Sequence, residues 1–195
     1  HHNRMVDTLL NVNDYGGIET WQGGPAYVYN NVSGNPGGYQ HWKHKLNPDR
    51  PGGTRFGFAY YMDGGFKQYY FNNIAWGKSS EGQSPLGNTA AFQEIHGFLA
   101  TVFHNTAYRF VVGSRRQAPE AGRNKYLGNI WQDIGELVFR HADPKNVQAD
   151  PNAADAGQQA DGFEHATNVY AHNLFQDIPE QLAVFEPNGA WHGTL

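Results

Sequence analysis

Asp14 and Glu19 are near neighbours in this chain, Asp63 precedes Gly64-Gly65, and Glu94 and His96 stand just before Gly97. Paired carboxyls are the working groups of glycoside hydrolysis. One protonates the leaving oxygen, while the other activates water across a gap of roughly 6.5–9.5 Å or attacks directly across about 5 Å. A histidine beside such a pair tunes its proton affinity. Arg109, Arg115 and Arg116 offer guanidinium groups suited to carboxylates. With His96 or His104 as base they would serve elimination on a uronate polymer, where the carboxylate must be neutralised. Trp21 and Tyr61 carry rings able to pack on sugar faces.

Such residues act together only if the fold stacks them, and a repeat provides the means. Short apolar stretches end in asparagine at positions 11, 31, 73, 105, 129 and 173. The separations are consistent with a basic unit of roughly 20 to 24 residues enlarged by insertions. Residues 129–136 are echoed by residues 173–180. Each unit holds short alternating apolar and polar stretches broken by Gly, Asn or Asp, a strand pattern and not a helical one. Stacked strands put equivalent residues about 4.8 Å apart, so an asparagine at one turn position can hydrogen-bond to those above and below.

Aligning the glycines before each asparagine, Gly23-Gly24, Gly64-Gly65 and Gly97-Phe98, expects Gln22, Asp63 and His96 in one column, with Thr20, Tyr61 and Glu94 in the column two residues earlier. Asp63 then lies about 5 Å from His96 and about 8 Å from Glu94. In that register Met62 and Ile95 point inward while Asp63 and His96 point outward. Around Glu19 two parities stay open, one burying Glu19 with Trp21 and the other exposing both.

Composition narrows the classes. Gly occurs 24 times, aromatics make up 14% and charged residues only 16%, a balance that suits short strands and tight turns. The net charge of −4 provides no global basic field for nucleic acid or anionic lipid. No apolar run approaches the roughly 20 residues of a membrane helix, so neither nucleic acid nor membrane is an expected partner. The absence of cysteine excludes disulfides and thiol chemistry.

Residues 13–21, Asn-Asp-Tyr-Gly-Gly-Ile-Glu-Thr-Trp, and Val28-Tyr29-Asn30-Asn31-Val32-Ser33, together with the asparagine array, resemble coils of the right-handed parallel β-helix superfamily of pectate-lyase-like and polygalacturonase-like proteins. The resemblance implies an all-β solenoid, an extracellular or periplasmic location, and a polysaccharide partner. Glycoside hydrolysis is the leading activity it implies, with polysaccharide lysis or a non-catalytic adhesin, spike or structural role as alternatives. Glu19 follows Gly-Gly-Ile, similar to the coil in which polygalacturonase-like proteins place catalytic aspartates. Calcium is frequent in the lyases, but Asp63, Asp133, Asp143 and Asp177 are too dispersed for a site to be assigned, so no cofactor is expected.

The reading is one β-helix domain over residues 1–195, a portion of a longer protein, with six to seven coils. Loop insertions are expected at 34–55 and 143–161, with smaller ones at 77–90 and from Ser114 to Arg123. No cap is visible at the amino end, so further chains or the remainder of the same protein are expected to close the solenoid ends.

Overall fold

The computed structural model describes residues 1–10, 15–37, 57–78, 89–95, 97–116, 123–140 and 169–178. Among them there is no helix, and every strand pairing is parallel. Strands recur in three positions. One row contains β1 (Arg4–Val6), β4 (Val32–Gly34), β7 (Ile74–Trp76), the start of β10 (Thr106–Arg116), the start of β12 (Ile130–Arg140) and β14 (Leu174–Gln176). A second contains β2 (Gly16–Gly23), β5 (Phe58–Gly65), β8 (Ala90–Ile95) and the later parts of β10 and β12. The third contains β3 (Ala26–Tyr29), β6 (Gln68–Phe71), β9 (Thr101–Phe103), β11 (Lys125–Leu127) and β13 (Val169–Ala171). The described residues thus form an all-β, parallel, solenoid-like winding whose rungs repeat row by row.

Single residues in the left-handed region make the corners. Arg109 (φ 58°) and Asp133 (φ 51°) bend β10 and β12 without breaking them, which joins the first two rows into one sheet. Asn30, Asn72, His104 and His172 adopt the same conformation just before their anchoring asparagines. Asn, Asp and His tolerate it better than most residues. Gly34 is required for another reason, since a Cβ there would lie 2.1 Å from the Trp76 ring.

The asparagine file holds the rungs in step. Asn31, Asn73, Asn105 and Asn129 each donate both backbone N and Nδ2 to the Oδ1 of the next, at 2.9–3.1 Å, and the last donates to Asn173. At the other end Asn3 donates in the same way to Asn31. The expected first member was Asn11, which lies outside the described residues. The file instead reaches Asn3, 28 residues before Asn31, because β1 pairs with β4 in that register.

Inside the winding, Tyr60 stacks on Phe92 at 5.4 Å, and Phe92 meets Trp131 edge-on at 6.0 Å. Polar groups also enter the core. The Tyr60 hydroxyl lies 3.1 Å from the carbonyl of Asn31 and 3.0 Å from that of Ile74. Burial raises its pKa.

Of the expected loops, 38–55 and 143–161 lie outside the described residues. The structure corrects three boundaries: Gly34 ends β4, Ala90 begins β8, and Ser114, Arg115 and Arg116 belong to β10 and not to a basic loop. The strand continues there because Ser114 to Arg116 find ladder partners on both sides, in β8 and β12.

Replacing Asn105 with Ala leaves the backbone and side-chain donors of Asn73 without their buried acceptor. At about 1–3 kcal/mol per orphaned group, Asn105→Ala should lower the stability measured by urea unfolding by about 3 kcal/mol. Asn3→Ala, at the end of the file, should cost less than about 1 kcal/mol.

Candidate functional site

The ladder register differs by one residue from the one expected by aligning the glycines that precede each asparagine, and agrees with the asparagine spacings of 42 (31 to 73) and 32 (73 to 105). Trp21 pairs with Asp63 and Asp63 with Ile95, while Met62 pairs with Glu94 and Tyr61 with Gln93. The difference arises because Gly64 stands nine residues before its asparagine and Gly23 and Gly97 eight before theirs, so that Gly65 is the residue opposite Gly23 and, by the Phe66–Phe98 bridge, opposite Gly97. A slip of one residue sends side chains to the opposite face, so Asp63 stands opposite Ile95 and does not share a face with Glu94. His96 itself lies outside the described residues, as does Asp14.

Glu94 therefore points into the core beside Met62 and is fully buried. Its Oε1 accepts from the Tyr126 hydroxyl and from Ser114 Oγ at 3.3 Å, and its Oε2 accepts from Asn124 Nδ2 at 2.7 Å. Burial first, and then the neighbouring Glu94 carboxyl, push the Tyr126 hydroxyl well above its ordinary pKa. Asn124 also accepts from the backbone of Ala100 at 2.8 Å, so this carboxylate organises a turn from the inside and is out of reach of a polymer.

The same register settles the open parity around Glu19. Ile18 packs against the core, and Thr20 points inward to donate to Gln68 Oε1 at 2.9 Å. Glu19 and Trp21 consequently face outward, as does Asp63 beside the inward Met62. Glu19 and Asp63 are one rung apart and two residues out of step, a separation of about 8 Å for strands ~4.8 Å apart. Both are half-buried. Glu19 Oε2 accepts from the backbone of Gly16 at 3.2 Å, which anchors one oxygen of the carboxylate. Trp21, directly alongside Asp63, is 69% exposed.

The remaining residues singled out by sequence separate. Tyr61, next to Glu19, is buried and meets Phe58 edge-on at 5.3 Å, so it forms wall and not an open ring face. Arg115 is buried over the Phe58 ring and donates to Gln93 Oε1 at 3.4 Å. Arg109 sits at the corner of β10, paired with Asp133 at 3.4 Å. The bend at Arg109 puts these two arginines in different rows. Arg116 is placed by its backbone opposite Glu94 and Arg140. Among the described residues, no three His, Asp or Glu side chains converge as a metal site.

Glu136 was not singled out by sequence reasoning. It pairs with Val112 on the outer face of β12, and burial pushes its carboxyl up to about 7. The only hint in the sequence is the echo of residues 129–136 in 173–180. Comparison with protein-family models, with characterised proteins and with solved structures finds no match.

Glu94→Ala should cost on the order of 3 kcal/mol in urea unfolding, because the Asn124, Ser114 and Tyr126 donors lose a buried acceptor. The folded Glu136 carboxyl titrates near 7 and the unfolded one near its ordinary 4.5. Between those values the folded state binds more protons, so stability falls as pH rises through that window. Thermal melts should show this decline in the parent and a flatter profile in Glu136→Gln.

Proposed function

We propose that the chain is a right-handed parallel β-helix that hydrolyses glycosidic bonds of an extracellular polysaccharide, with Glu19 and Asp63 as its carboxyl pair. Support for the fold comes from the all-parallel rows, the amide file and the strong preference of parallel crossovers for the right hand. The observation that carries the chemistry is the outward placement of Glu19 and Asp63 one rung apart beside exposed Trp21.

Backbone positions about 8 Å apart on one outward face are compatible with the wider carboxyl spacing of an inverting hydrolase, which leaves room for a water between sugar and base. One carboxyl protonates the leaving oxygen while the other takes a proton from the attacking water. The Gly16 amide holds Glu19 in place, and the Trp21 ring stacks on a pyranose face and orients the scissile bond. Hydrolysis is favoured over elimination because the Arg109 guanidinium is engaged by Asp133 and that of Arg115 is buried against Phe58.

A panel of neutral and acidic polysaccharides tests the proposal. New reducing ends without near-ultraviolet absorbance, and a first product of inverted anomeric configuration by NMR, are expected. Glu19→Gln and Asp63→Asn should each lose about 10²–10⁴-fold in kcat while keeping the parent melting profile, and Trp21→Ala should mainly raise KM. An unsaturated product, or unchanged activity in both carboxyl variants, overturns the assignment.

A further inference from the structure

We infer that the outer face of the third row is a second binding surface, which docks an acidic polysaccharide through Lys67 and Lys125 beside a file of stacked aromatic rings. The inference goes beyond the hydrolase reading and makes no use of the Glu19/Asp63 pair.

Charge is divided between the faces. Although the chain carries a net charge of −4, no Asp or Glu occurs among the described residues of the third row or of the turns that flank it. All the described acids lie in first- and second-row strands or at the corner between those rows. Cations stand on the third row instead. Lys67 and Arg123 are exposed and share one left-handed corner column with Leu99, while exposed Lys125 lies on β11, two rungs from Tyr69. Lys67 and Lys125 are thus about 12 Å apart, for rungs ~4.8 Å apart and an offset of two residues. Among the described residues neither lysine is in an ion pair.

The surface beside them presents ring edges. Tyr27 stacks on Tyr69 at 5.1 Å, and in the adjoining column Tyr29, Phe71 and Phe103 stack at 5.0 and 4.9 Å. These rings alternate along their strands with the core residues Val28, Tyr70 and Val102, so they point outward. Stacked on one another, they spend their faces within the file and offer solvent their edges and the Tyr27 and Tyr69 hydroxyls.

That arrangement selects the partner. Single-stranded nucleic acid binds by stacking its bases on open ring faces, and here those faces are largely taken by neighbouring rings. Anionic membranes are held by clusters of about four to eight cations, more than this face carries among the described residues. A sugar chain matches what remains, because its hydroxyls exchange hydrogen bonds with phenol and threonine hydroxyls and its carboxylates pair with ammonium groups. Laid along the rungs, it passes Tyr27, Tyr69, Thr101 and Lys125 in one column, with Lys67 alongside.

Affinity electrophoresis of the parent protein through gels containing alginate, hyaluronan or neutral dextran tests the surface. Retardation by alginate or hyaluronan, none by dextran, and release as ionic strength rises are expected. The double variant Lys67→Gln with Lys125→Gln should bind about tenfold more weakly with an unchanged melting profile, since both side chains are exposed. Lys78→Gln, which removes an exposed cation outside the third row, should bind like the parent. No retardation by either acidic polymer, or equal retardation of parent and double variant, overturns the inference. Tighter binding of single-stranded DNA or of anionic lipid vesicles, lost in the double variant, overturns it as well. Retardation is read here and cleavage is not, so failure of the hydrolase reading and failure of this inference are separate results.

Discussion

The structure depends on one repeated interaction, a buried asparagine that gives two N–H donors to the side-chain oxygen of the asparagine on the next rung. Because backbone and side chain donate to the same acceptor, the bond ties the position of the chain to the position of the side chain. A rung that slipped by one residue would lose both donors and leave polar groups buried without partners, each costing about 1–3 kcal/mol. The rows extend from these locked turns, so the register of every strand, and hence the direction of every side chain, is inherited from the file.

That inheritance separates acids of similar sequence context into different kinds of work. Glu94 and Glu19 both lie in second-row strands, but Glu94 is paired with Met62 and points inward, whereas Glu19 is paired with Tyr61 and points outward. The inward carboxylate is surrounded by Tyr126, Ser114 and Asn124 and secures a turn. A comparable polar knot forms nearer the β2 end, where Thr20 contacts Gln68 and the Tyr70 hydroxyl. Burial raises the pKa of that hydroxyl. The Thr20 hydroxyl and the Glu94 carboxyl are tolerated in such a narrow core because they find partners there, which fixes the rotamers the core accepts, whereas Gln68 Nε2 has no hydrogen-bond partner.

Much of the fold was legible. Asparagines 31, 73, 105, 129 and 173 occupy one file, and short alternating stretches became strands, since an amide ladder and a period of two both leave direct marks in residue order. The start of the file was misplaced because Asn11 satisfies the local pattern as well as Asn3 does, and only pairing with β4 distinguishes them. The site was partly legible. Glu19, Asp63 and Trp21 were all candidates, yet Asp63 was matched with Glu94 because Gly64 was set opposite Gly97, a place that Gly65 takes in the ladder.

Residue order alone determined that the chain repeats, that its repeats are built from strands, and that asparagine marks their turns, because these properties are local and recur at each unit. It also supplied the residue types from which a carboxyl pair could be drawn. Tertiary structure decided which members of that set share a face. Asparagine spacing gives the observed register and glycine alignment one slipped by a residue; that slip exchanges inside for outside, and hydrogen bonding between strands more than twenty residues apart decides which marker the strands follow.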